Sequence, residues 1–133
     1  MLILINDIKK KGEKMRKILI IEDEPCINFL YSKILETDFE VENAIDGYQA
    51  LEYANEKKYD LILLDISLPF MNGIEILEKM RETTLNKEVK VIVVSALGME
   101  KYKKEAKELG VKEYLEKPID LKILKSKIMK WCN

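Results

Sequence analysis

Apolar residues in this chain fall into short unbroken runs, separated by stretches in which they recur every third or fourth position. Lys17-Ile18-Leu19-Ile20-Ile21, Leu61-Ile62-Leu63-Leu64 and the segment 89–94 are runs of the first kind. They are short, continuous and, in the first and last, rich in β-branched residues, which predicts strands buried on both faces. Residues 39–45 and 111–115 predict two more strands. Between the strands, Pro25 stands where a helix begins, a position that tolerates its missing N–H. The helix from there to about residue 36 places Ile27, Leu30, Tyr31 and Ile34 on one side. Asp46-Gly47 turns the chain into a helix ending near Lys57, and a loop with Pro69 and Gly73 leads into one over about 74–81. A charged helix over 100–109 is stopped by Gly110, and a last helix spans about 120–131.

Five strands alternating with five helices imply an α/β domain: a parallel sheet with helices on both faces. Right-handed crossovers leave the doubly wound order 2-1-3-4-5 as the natural solution. The regular pattern begins at Met15, so residues 15–133 are read as one domain, a size that suits a chain of 133 residues. Residues 1–14 are read as an N-terminal extension, either a flexible tail or a translated ribosome-binding element with Met15 as the natural start.

Composition narrows the chemistry. Histidine is absent, and the two cysteines, Cys26 and Cys132, are far apart. Histidine-dependent triads, zinc sites with histidine ligands and a disulfide framework are thereby excluded, and a reducing cytoplasm is the simplest setting. Charged residues make up 35% of the chain, yet the formal net charge is only -1. That balance gives no reason to expect a nucleic-acid or anionic-membrane surface. No apolar run approaches the roughly 20 residues of a membrane span. Met1-Leu2-Ile3-Leu4-Ile5 is too short, and lacks the basic lead, for a signal peptide.

In doubly wound sheets function gathers beyond the carboxyl ends of the strands. Here the first strand ends in Glu22-Asp23-Glu24, the third in Asp65, the fourth in Ser95-Ala96 and the fifth in Lys117-Pro118. The predicted order brings these ends to one edge. Carboxylates held side by side repel one another and need a cation. Oxygen-only ligands favour Mg²⁺ or Mn²⁺ over zinc. A lysine, a divalent cation, a hydroxyl and backbone N–H groups together make a phosphoryl site, with Asp65 as the candidate nucleophile.

These residues stand in segments that resemble the receiver domain of bacterial two-component response regulators. Ile18 to Pro25 resembles that family's first strand and acidic pair. Residues 60–69 with Met71-Asn72-Gly73 resemble its phosphorylation segment, and residues 91–96 and 114–118 its last two motifs. The resemblance implies a flavodoxin-like fold in which Asp65 accepts a phosphoryl group from a phosphohistidine on a partner. It implies Mg²⁺ held by Asp23 and Asp65, with Glu22 helping through water and the Ser67 backbone carbonyl completing the set. Lys117 would pair with the phosphoryl oxygens. Ser95 would bond another of them, and its movement would let Tyr114 turn inward. The Lys117-Pro118 bond would be cis. Glu22 departs from the aspartate more usual at its position, and an apolar Leu97 implies slow self-dephosphorylation rather than turnover as an enzyme.

Two other readings share the fold. A flavodoxin-like carrier would need a glycine- and hydroxyl-rich loop where Glu22-Asp23-Glu24-Pro25 stands. A phosphatase working through an aspartyl phosphate would need an aspartate at Ser67. With the last helix reaching residue 131, output is expected through protein contacts. The protein would serve as a switch for a downstream target, or as a relay intermediate passing its phosphoryl group to a histidine phosphotransferase. A sensor histidine kinase or a phosphotransferase is the expected donor. Cys26 and Phe29, off the apolar stripe of the first helix, are candidate docking residues.

Overall fold

The unbroken apolar runs become the inner strands of a computed structural model that describes residues 15–132 apart from Leu97 and Met99. In chain order the elements are β1 (Lys17–Ile21), α1 (Pro25–Leu35), β2 (Glu40–Ala44), α2 (Gly47–Glu56) and β3 (Leu61–Leu64). They continue with α3 (Gly73–Met80), β4 (Lys90–Ser95), α4 (Glu100–Glu108), β5 (Glu113–Glu116) and α5 (Leu121–Cys132). All strand pairs are parallel, in the order β2-β1-β3-β4-β5. Strand periodicity sends alternate residues to opposite faces. Leu19, Ile21, Ile62, Leu64, Val91 and Val93 meet residues of α2, α3 and α4 on one face. Ile18, Ile20, Leu61, Leu63, Ile92 and Val94 meet residues of α1 and α5 on the other. Two apolar layers thus clamp the sheet and hold the carboxyl ends of its strands in fixed register.

Helix starts are set by side chains that satisfy orphan amide groups. Asp46 accepts from the Gln49 N–H at 2.8 Å, while Gln49 accepts in return from the Ile45 N–H at 2.9 Å. Asn72 accepts from the Glu75 N–H at 3.0 Å, so α3 begins at Gly73, one residue earlier than the pattern predicts. Asp120 accepts from the Lys122 and Ile123 N–H groups at 2.7 and 3.3 Å.

Three expectations are corrected. Strand β2 lacks both predicted ends, because Phe39 is buried before it begins and Ile45 is exposed after it closes. Strand β5 lies two residues later than its start at Val111, since an edge strand is half-buried and carries a weak pattern. On α1 the buried positions are Asn28, Tyr31 and Leu35, whereas Leu30 is 48% exposed. Trp131 ties α5 to β5 through its indole N–H, which donates to Glu113 at 2.9 Å. The expectations for residues 1–14 and for Leu97 lie outside the described residues.

Candidate functional site

Hydrogen bonds of the sheet run one step beyond the strands and carry the acids with them. The Glu22 N–H donates to the Ala44 carbonyl at 3.1 Å, the Asp65 N–H to the Ile21 carbonyl at 3.1 Å, and the Lys117 N–H to the Ser95 carbonyl at 3.0 Å. Backbone positions of Glu22, Asp65 and Lys117 are therefore fixed by the same ladder that builds the core. The loop after Asp65 folds back on itself, with the Gly73 N–H donating to the Ile66 carbonyl at 2.8 Å. A Cβ at Gly73 would lie 2.5 Å from the Ile66 Cα and 2.9 Å from the Asp65 backbone carbonyl oxygen. Only glycine lets the loop close this tightly against the residue it serves.

Side chains then converge. The Lys117 Nζ donates to Glu22 Oε1 at 2.7 Å and to Asp65 Oδ2 at 3.0 Å. The second Glu22 oxygen accepts from the Glu24 N–H at 3.3 Å, and Asp65 Oδ1 accepts from the Ser67 N–H at 2.9 Å. Glu22 and Asp65 are buried, while Asp23 is partly exposed. Glu22, Asp23 and Asp65 each present a carboxylate oxygen, and these oxygens lie within 4.8 Å of one another. Three carboxylates against one ammonium leave a formal charge of −2, with two of the acids buried.

Electrostatics records the imbalance. Burial, helped by the charge of Asp65, raises the Glu22 carboxyl above its usual range even though Lys117 pulls the other way. Burial alone would lower the Lys117 ammonium, but hydrogen bonds to Glu22 and Asp65 outweigh it and raise it above the ordinary lysine value. Lysine is thus locked in its charged form, and a further cation would relieve the acids. An all-oxygen donor set with one solvent-facing member suits a hard divalent ion such as Mg²⁺.

The structure places the remaining predicted residues as follows. Ser95 ends β4 and is fully buried at this edge. Tyr114, in the middle of β5, packs in part against the apolar layer of α2, α3 and α4, and burial raises its phenol pKa. Ser67 is exposed beside Asp65. The Lys117-Pro118 bond is cis. Cys26 and Phe29 lie on the outer surface of α1, Phe29 60% exposed with the Lys33 ammonium 5.4 Å over its ring. Neither is part of the acidic cluster. Among the described residues no helix is long and apolar enough to cross a membrane.

Some participants escape the sequence. Tyr31 of α1, predicted only as core, is near enough to feel the charges of Lys117, Glu22 and Asp65, although burial is the main cause of its raised pKa. Asn28 reaches from α1 to the Glu22 carbonyl at 2.8 Å. The spacing 28, 31, 35 is that of a single helix face, but an asparagine on it carries no sequence signal of burial. Phe70, between Asp65 and α3, is 84% exposed with φ of 68°.

Comparison with known proteins gives this geometry a context. The model of the response regulator receiver domain matches residues 18–129. Sporulation initiation phosphotransferase F of Bacillus subtilis is 33% identical over 116 residues, covering 86% of this chain and 92% of that one. Chemotaxis protein CheY of Treponema pallidum is 36% identical over 126 residues, covering 89% and 86%. Among solved structures, the receiver domain of a sensor histidine kinase from Pseudomonas aeruginosa superposes with a TM-score of 0.80 at 26% identity. The match covers 89% of this chain and 98% of that one, and that structure has a magnesium ion coordinated in its active-site cleft. With its five-stranded sheet in the order 2-1-3-4-5 and its acids gathered at one edge, the chain belongs to the response regulator receiver domain family.

Proposed function

We propose that this receiver takes a phosphoryl group onto Asp65 from a phosphohistidine of a sensor histidine kinase or phosphotransferase, and signals onward through protein contacts. The observation that carries the reading is the Lys117 ammonium bridging Glu22 and Asp65 within a cluster of three acids. In the transfer an Asp65 carboxylate oxygen forms a bond to phosphorus while the P–N bond to the donor imidazole breaks. The electron pair leaves with the imidazole nitrogen, which takes up a proton. Asp65 is held for this by the Ser67 N–H and by Lys117, so little reorientation is needed before the reaction.

Asp23 and Asp65 would hold the divalent cation, with Glu22 helping through water and the Ser67 carbonyl as a further oxygen donor. Mg²⁺, or Mn²⁺ in its place, supplies charge stabilisation to the transferring phosphoryl group. Lys117 would neutralise a second phosphoryl oxygen, which requires it to loosen its hold on Asp65. Ser95 would donate its hydroxyl to a third, drawing on the loop that follows β4, and Tyr114 would move further into the space beside it. That is a switch driven by local charge. By the family resemblance, an apolar residue at position 97 makes the acyl phosphate long-lived. A half-life of minutes or more in purified protein is the expected result, and one of seconds would contradict it.

Incubation with acetyl phosphate and Mg²⁺ tests the central assignment. Intact-protein mass spectrometry is expected to show one added phosphoryl group on the native chain and none on Asp65→Asn. Equal labelling of both would remove Asp65 from its role.

A further inference from the structure

Asn28 is a buried polar residue on a helix face otherwise given to core packing, with Tyr31 and Leu35. A leucine there would extend that apolar face without the cost of burying an amide. Both ends of the amide are engaged. Nδ2 donates to the backbone carbonyl of Glu22 at 2.8 Å, and Oδ1 accepts from the Asn43 side chain on β2. Asn43 also reaches Ser32 Oγ at 2.8 Å. One asparagine thus ties α1 to the peptide that joins Glu22 to Asp23.

That peptide is a sensitive point. On one side of it Glu22 turns inward to Lys117, and on the other Asp23 faces the mouth of the pocket. Displacing the peptide would carry the Cα atoms on either side of it and with them both carboxylates, and the repulsion within the acidic cluster acts to drive them apart. The sheet holds the preceding Ile21–Glu22 peptide through the Glu22 N–H, and Asn28 grips the Glu22–Asp23 peptide by its carbonyl from the α1 side. We infer that Asn28 is a positioning residue: by fixing the Glu22–Asp23 peptide it holds the acids in the arrangement that receives the divalent cation. The inference rests on the proposed role of Asp23 and Asp65 as cation ligands. Groups that orient metal ligands typically change affinity about 10- to 100-fold when removed.

The test is a calorimetric titration of the full-length protein with MgCl₂, paired with urea unfolding. Asn28→Leu keeps the number and branching of side-chain heavy atoms and extends the apolar face but lacks the donor. It is expected to remain folded with an unfolding midpoint somewhat below the parent's, because the Glu22 carbonyl loses its partner, and to bind Mg²⁺ about tenfold more weakly while folded. Its rate of labelling by acetyl phosphate at saturating Mg²⁺ should stay within about threefold of the parent, because Lys117 and Asp65 remain in place. Asn43→Ala removes the outer link and leaves the bond to Glu22. It is expected to bind Mg²⁺ within about twofold of the parent. Unchanged Mg²⁺ affinity in Asn28→Leu would overturn the inference, as would equal losses in both variants. If the parent itself binds no Mg²⁺ and takes no phosphoryl group, the functional reading fails and the inference falls with it. If the parent does both and only the Asn28 effect is missing, the inference alone is wrong.

Discussion

Two buried asparagines sit at opposite edges of the same sheet. At the amino edge, Asn86 accepts from the Tyr59 N–H at 2.9 Å and donates to the Ala54 and Lys57 carbonyls at 2.6 and 2.7 Å. Arg81 beside it donates to the Leu109 carbonyl at 2.9 Å and to the Val89 carbonyl at 2.6 Å. At the carboxyl edge, Asn28 is also satisfied, but the groups it steadies are carboxylates that outnumber their cation. A cleft of about 460 Å³ opens at the amino edge, lined by Arg16, Asp60, Lys90 and Trp131 among others. Yet Arg16 is paired with Asp60 at 3.7 Å, and Lys90 donates to the Trp131 carbonyl at 2.7 Å. The side chains of Asn86, Arg16, Asp60 and Lys90 at the amino edge are thus engaged by the chain itself. At the carboxyl edge two buried acids and a third beside them share one lysine, and that buried imbalance, rather than the size of a cavity, marks the functional end.

The contrast can be broken by substitution. Lys117→Met is expected to have the largest effect, slowing phosphoryl uptake about 100-fold. It should also cost about 2 kcal/mol in stability without Mg²⁺, since two buried acids lose their partner. Added Mg²⁺ should restore more stability to the variant than to the parent in urea titrations. Asn86→Ala should cost about 2 kcal/mol by the same assay, with no response to Mg²⁺ and normal labelling per folded molecule, because only backbone groups lose their partners. A labelling defect in Asn86→Ala would erase the distinction between the edges.

Smaller effects sharpen the comparison. Phe70 holds φ of 68°, a region unfavourable to a side chain with a Cβ, on the loop that follows Asp65. Phe70→Gly is therefore expected to raise stability by about 0.5–1 kcal/mol, read as a higher unfolding midpoint. The two thiols form the mildest contrast. Burial pushes Cys132, at the amino edge, up to about 11 from its ordinary 9.0, whereas Cys26 is exposed. Iodoacetamide at pH 8 should modify Cys26 alone in the native protein. A thiol whose folded pKa is raised adds stability that is fully present below pH 9 and lost as pH rises through about 11. Cys132→Ala should flatten that part of the stability–pH curve.

Legibility in the sequence followed burial. Strands covered on both faces, such as Leu61–Leu64, can only be written as unbroken apolar runs, so their positions and their polar ends could be read directly. Glu22, Asp65, Ser95 and Lys117 lie where those ends predicted. Half-buried elements were harder. Leu30 fits the α1 stripe as well as Leu35 does, and no local signal says that Asn28 displaces it. The asparagine is buried because a carbonyl near residue 22 and an amide at residue 43 lie close in space, a fact that belongs to the tertiary structure. For the same reason the direct Lys117–Glu22 pair was not anticipated. Lysine was expected as a positive charge in the pocket, and the structure shows that charge divided between two acids.

The most direct test of the central claim is to find the phosphoryl group chemically. After labelling with a phosphorylated donor and Mg²⁺, borohydride reduces an aspartyl phosphate to homoserine, which peptide mapping locates. The account predicts homoserine at position 65 and nowhere else. Homoserine at position 23, or a phosphoryl group that survives reduction on another side chain, would contradict it.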